Sequence, residues 1–138
     1  MKAGPIIIVE DDPDDQLLIS EICKRLNHGG VVIFDNGISV LNYLRTTTDK
    51  PFLILCDVNM PAMNGLQLRA EIIRDEILRK KSIPFVFFST VAMQQEVDAA
   101  YDLIVQGYFE KGRNYNDLES TLQLLIAYWQ KCRHPNSF

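Results

Sequence analysis

Ile6-Ile7-Ile8-Val9-Glu10-Asp11-Asp12-Pro13-Asp14-Asp15 decides the fold. Four β-branched residues in an unbroken apolar run read as a strand buried on both faces, which a parallel sheet covered by helices requires. Five carboxylates follow within six residues. Asp12 before Pro13 reads as an N-cap with proline at the first helical position. A buried strand that passes through an acidic turn into a helix is one half of a parallel crossover unit.

The same grammar repeats along the chain. Val31 to Phe34, Leu53 to Cys56 and Phe85 to Phe88 read as further buried strands, with a fifth, weaker one over Val105 to Phe109, interrupted by Gly107. Between them lie helical stripes: Leu18, Ile22, Leu26; Val40, Leu41, Leu44; Leu66, Ala70, Ile73, Ile77; Met93, Val97, Ala100, Ile104; and Leu118, Leu122, Leu125, Ile126, Trp129. Each set falls on one helical face. Asn36-Gly37 and Asn64-Gly65 mark turns ahead of helices, and Asn114 with Asp117 caps the last one. Strand followed by helix, five times over, predicts an α/β fold: an open, doubly wound five-stranded parallel sheet with five helices and right-handed crossovers. A closed eight-fold barrel needs far more chain. Residues 1–138 suit one domain, with loose ends at Met1 to Pro5 and His134 to Phe138.

Hydrophobic residues at 47% and charged ones at 23% exclude a disordered chain. A net charge of −4 gives no electrostatic footprint for nucleic acid. No apolar run approaches a bilayer span, and the N-terminus lacks a signal-peptide pattern, so a cytoplasmic location is the expectation. Cys23, Cys56 and Cys132 form neither a CxxC pair nor a disulfide framework and are expected to be reduced.

The chemistry is concentrated in acids. In an open α/β sheet, ligands bind beyond the carboxyl ends of the strands. Glu10 and Asp11 stand at one such end and Asp57 at another. If the strands are neighbours, the three carboxylates converge. Acids packed that closely repel one another unless protons or a hard divalent cation intervene, and magnesium suits a few carboxylates with waters and a phosphate oxygen. Asp12, Asp14 and Asp15 are better explained by the first helical turn, where negative charge favours the helix dipole.

These residues resemble the receiver domain of bacterial two-component response regulators, over about residues 4 to 131. Ile6 to Asp12 is similar to that family's first strand and acidic pair. Asp57-Val58-Asn59-Met60-Pro61-Ala62-Met63-Asn64-Gly65 is similar to its phosphoacceptor loop. The resemblance implies a flavodoxin-like strand order, 2-1-3-4-5. It further implies that Asp57 accepts a phosphoryl group from a sensor histidine kinase or a histidine phosphotransfer protein. Mg2+ would be held by Glu10, Asp11, Asp57 and the Asn59 carbonyl. Ser89 falls at the hydroxyl switch position, Tyr108 at the aromatic switch position, and Lys111 at the lysine that neutralises the phosphoryl group. On this reading phosphorylation draws Ser89 inward, and Tyr108 then turns in behind it.

Gly112 departs from the family, which usually places proline after the lysine. No output domain is expected, and the signal is then expected to pass to a downstream protein by contact. The charged stretch from Arg69 to Lys81 and the Tyr128-Trp129 pair resemble small regulators paired with phytochrome-type kinases, with Trp129 in the core and Tyr128 at an edge suited to a homodimer. Two other readings compete. One is a receiver-like binding module that works without phosphate. The other is a magnesium-dependent phosphohydrolase of the haloacid-dehalogenase type, which would want an acid where Asn59 stands and room for a cap.

Overall fold

The computed structural model describes residues 4–137. Five strands form one parallel sheet: β1 (Ile6–Val9), β2 (Val31–Phe34), β3 (Leu53–Asp57), β4 (Phe85–Ser89) and β5 (Gly107–Glu110), in the order β2-β1-β3-β4-β5. The expected strand order is therefore borne out. The helices are α1 (Pro13–Leu26), α2 (Gly37–Thr46), α3 (Gly65–Arg74), α4 (Glu76–Lys80), α5 (Gln94–Asp102) and α6 (Tyr115–Lys131).

Alternation along the strands sends successive side chains to opposite faces. Ile7, Val9, Ile54, Cys56, Phe85 and Phe87 face a core closed by α2, α3, α4 and α5. Ile6, Ile8, Leu53, Leu55, Val86 and Phe88 face the other core, closed by α1 and α6. Burying each such side chain contributes roughly 1.5–3 kcal/mol. Because both faces are apolar, the pairing of strand ends, and hence the site, is fixed by the backbone ladder rather than by polarity.

Among the described residues six helices stand where five were expected. The run read as one stripe from Leu66 to Ile77 is broken at Asp75, whose backbone is extended and whose carboxylate accepts from the Ile77 and Leu78 amides. A side chain that bonds the backbone ahead of it competes with continuing the helix. Asp75 thus ends α3 and starts α4. The buried face of α3 is Leu68, Arg69 and Ile72, while Ile77 is exposed. Likewise Leu18 lies at the rim of α1 and Ile19 takes the core position; Met93 and Ile104 are exposed and only Ala100 of that stripe is buried. β5 starts at Gly107, not Val105, because Ile104 is still turning, with φ +57°. The last helix and its caps match the sequence reading, with Trp129 packed against the core and Tyr128 exposed.

The ends described are tied down rather than loose. Asn27 Nδ2 donates to the Gly4 carbonyl, and Phe52 N to that of Pro5. Residues Pro135–Ser137 form a 3-10 turn, Asn136 Nδ2 donates to the Lys81 carbonyl, and His134 packs edge-on against Trp129. Met1 to Ala3 and Phe138 lie outside the described residues. All three cysteines are free thiols, as expected.

Candidate functional site

Register builds the site. Val9 pairs with Cys56, so Glu10 and Asp57 stand side by side at adjacent strand ends. Asp57 pairs with Phe88, which brings Ser89 to the next strand's end, and Ser89 pairs with Glu110, which brings Lys111 after it. The Lys111 amide donates to the Ser89 carbonyl at 2.8 Å, extending the ladder by one bond.

At the centre lie Glu10, Asp11 and Asp57, each offering a carboxylate oxygen within 4.8 Å of the others. Glu10 is only 1% exposed, and Asp11 is exposed. A trio of carboxylate oxygens this close is a donor set for a hard divalent cation. Burial, then the charge of Asp57, push the Glu10 carboxyl up to about 7. Burial also raises Asp57, against the pull of Lys111. The repulsion anticipated from sequence is thus present in the fold.

Lys111 crosses the pocket to meet these acids. Its ammonium lies 2.6 Å from Glu10 Oε1, 2.7 Å from Asp15 Oδ2 and 3.8 Å from Asp57 Oδ1. Sequence reasoning gave Asp15 mainly to the first helical turn, and the structure adds its ion pair with Lys111. Pro13 at N1 sets the helix so that Asp15, five residues past Glu10, faces the same pocket. The signal was available in the helical offset from the capping Asp12. Gln16 was also missed; its side-chain amide donates to the Glu10 carbonyl and pins that strand end.

Asp12 caps α1 through the amides of Asp14 and Asp15. Asn59 is exposed beside Asp57. The loop returns to α3 through a capping box, in which Asn64 and Gln67 exchange bonds. Gly65 lets this helix start close in: a Cβ there would lie 2.4 Å from the Asp57 carbonyl and 2.8 Å from the Phe87 ring.

Ser89 is fully buried and its hydroxyl donates to the Val91 carbonyl at 2.5 Å. It does not cap α5, whose N-cap is Met93, without a side-chain bond. Thr90, the neighbouring hydroxyl, is exposed. Tyr108 packs its ring 5.9 Å from that of Phe87, and its Oη is buried without a hydrogen-bond partner. Burial raises the phenol's pKa. The Tyr108 ring is therefore packed inward, against the core. A buried hydroxyl with no partner is a net cost. Tyr108→Phe is accordingly expected to raise stability by about 1 kcal/mol in urea denaturation, and a fall of that size would mean that the hydroxyl is bonded.

Gly112 accounts for the missing proline. Its φ of +89° is closed to proline, and an added Cβ would sit 2.6 Å from the Asp117 Cβ. Asp117 Oδ2 meanwhile accepts from the Arg113 amide, and Asn114 caps α6. The loop after Lys111 is a left-handed turn braced on the first turn of α6. Gly112→Ala should destabilise the chain by about 1–2 kcal/mol through that strain. Equal urea midpoints for the two proteins would contradict this account.

Among the described residues no helix is long and apolar enough to cross a membrane. Comparison with known proteins identifies the family. The family model for the response regulator receiver domain matches residues 6–123. Response regulator Rcp1 of Synechocystis sp. is 31% identical over 90% of this chain and 87% of its own length. Chemotaxis protein CheY1 of Helicobacter pylori is 28% identical, over 88% and 96%. The solved structure of the phosphorylated cyanobacterial phytochrome response regulator RcpA superposes with a TM-score of 0.86 at 30% identity, covering 96% of this chain and 97% of that one. The Mn(2+)-bound form of Rcp1 gives 0.81 at 29%, covering 95% and 97%. With its acidic strand-end pocket and this agreement along nearly its whole length, the chain belongs to the response regulator receiver domain family.

Proposed function

We propose that the chain is a phosphoacceptor switch: Asp57 takes a phosphoryl group from a sensor histidine kinase or a histidine phosphotransfer protein, and the fold relays that event to a downstream protein. The observation that carries this reading is the convergence of Glu10, Asp11, Asp57 and Lys111 at three strand ends. A like-charged cluster around a nucleophile needs both a cation and a neutralising lysine, and the site offers donors for the first and supplies the second.

In the transfer, an Asp57 carboxylate oxygen forms a bond to phosphorus as the bond from phosphorus to the donor nitrogen or oxygen breaks. The donor leaves with that electron pair, and the product is an acyl phosphate. Glu10, Asp11, Asp57 and the Asn59 carbonyl would hold Mg2+, which when bound supplies positive charge to the phosphoryl oxygens. Lys111 moves from Glu10 and Asp15 toward the new dianion, whose charge of roughly −1.5 to −2 exceeds that of either acid. Ser89 exchanges its bond to the Val91 carbonyl for a phosphoryl oxygen. That exchange frees the backbone between β4 and α5 and is the step by which chemistry becomes a change of surface. Tyr108, packed against Phe87, would stabilise the active arrangement. Residues 1–138 act as one receiver unit in the cytoplasm, and the hydrolysis of its own acyl phosphate limits the signal.

The test is intact-protein mass after incubation with Mg2+ and acetyl phosphate. One phosphoryl adduct, lost on adding EDTA before the donor, is the expected result. The absence of any adduct would favour a phosphate-independent binding module.

A further inference from the structure

At the amino-terminal ends of β3, β4 and β5, opposite the acidic pocket, the helices leave a cavity of about 390 Å3. That is within the size range of small-molecule sites. Its floor is apolar, with Ile54, Ile72, Leu78 and Ile83, and Trp129 forms part of its wall. Its charged lining consists of Arg69, Arg79 and Lys81, with no aspartate or glutamate.

Arg69 makes this cavity unusual. It projects from the buried face of α3 and is 6% exposed. Its Nε donates to the Leu103 carbonyl at 3.1 Å and its Nη2 to the Ile104 carbonyl at 2.7 Å, while the guanidinium lies 5.1 Å from the centre of the Phe85 ring. Two carbonyl dipoles and a ring face satisfy part of its hydrogen-bonding capacity. They do not balance its charge. Among the described residues no carboxylate lies within 4.0 Å of it, and burial alone lowers its pKa to about 10, with no acid opposing. Buried charges in proteins are ordinarily paired, because an unpaired one is costly. Here a buried cation and two further cations surround an apolar space with no anion of the chain's own.

We propose that this cavity binds an organic carboxylate with an apolar tail, the carboxylate meeting Arg69, Arg79 and Lys81 and the tail lying on Ile54, Ile72 and Ile83. A guanidinium presents a planar fork that matches a carboxylate. The cavity's volume admits a short aliphatic or single-ring body but not a long lipid chain. The site is remote from Asp57, so binding requires neither metal nor phosphodonor.

The test uses octanoate as the probe, 1-octanol as its uncharged counterpart and acetate as the headgroup without a tail. Isoleucine methyl resonances at Ile54, Ile72 and Ile83 and the single indole, Trp129, report occupancy in the intact chain. Octanoate is expected to shift all four, with octanol and acetate at least roughly ten-fold weaker, as loss of a charge-assisted bond or of apolar burial implies. Arg69→Met is expected to remove binding. Because that buried side chain also braces the loop before β5, the double variant Arg79→Gln, Lys81→Gln provides a second measurement and should weaken octanoate roughly five-fold or more. Octanol binding as tightly as octanoate, isoleucine resonances unmoved by octanoate, or unchanged affinity in the double variant would each overturn the proposal.

Discussion

Asp57→Asn is expected to abolish the phosphoryl adduct formed with acetyl phosphate and Mg2+ while leaving the protein at least as stable as before. The amide cannot attack phosphorus as the carboxylate does, so labelling should fall from one adduct to none. The stability half of the prediction follows from the pocket. Asp57 stands beside Glu10, and burial holds its pKa above the ordinary value, so its charge is unfavourable where it sits. Its contact with Lys111 is the longest of that lysine's three, at 3.8 Å, against 2.6 and 2.7 Å to Glu10 and Asp15. An isosteric neutral amide relieves repulsion and gives up little attraction. Loss of labelling in a chain that unfolds at the same or a higher temperature can then be assigned to the missing nucleophile. An adduct that persists in Asp57→Asn would place the acceptor elsewhere and sink the assignment.

The sequence made most of this site legible because strand ends are legible. A run such as Leu53 to Cys56 can only be buried on both faces, so the acid that follows must emerge at the sheet's edge, and parallel order then aligns the edges. Glu10, Asp57, Ser89 and Lys111 came out at adjacent ends for that reason. What stayed hidden depended on choices that periodicity does not encode. Asp75 has the polarity of any helical surface residue, yet its side-chain bonds to Ile77 and Leu78 divide one expected helix into two. Arg69 stood in a stretch read only as charged, but it lies beneath the loop at Leu103 and Ile104, because backbone carbonyls there need a donor that the turn itself cannot supply. Asp15 was explained by its own helix, and only the path of Lys111 across the sheet gave it a second task. In each case the deciding interaction joins residues through the backbone or across distant segments, where spacing along the chain is silent.

The acidic pocket should also make stability depend on pH in opposite ways with and without a divalent cation. Glu10 is raised from 4.5 to about 7 in the fold. A carboxyl raised on folding contributes fully below its unfolded value and loses that contribution as pH climbs through the folded one. Without a cation, stability should therefore decline between about pH 4.5 and 7, by about 3 kcal/mol for Glu10 if nothing else changes. Asp57, also raised, acts in the same direction. Lys111 has its pKa raised above the ordinary lysine range, so it remains charged throughout this window and adds no slope. With Mg2+ the sign reverses, because binding requires ionised carboxylates and its stabilisation grows as they form. The measurement is unfolding in urea across this window, in EDTA and in Mg2+, for wild type and Glu10→Gln. Comparing the two proteins cancels the two histidines and the surface acids, which both share. Wild type should lose stability relative to Glu10→Gln as pH rises in EDTA, and regain it in Mg2+. Parallel curves in EDTA would mean that Lys111 already compensates Glu10 completely, and the cation would then have to displace an ion pair rather than relieve a repulsion.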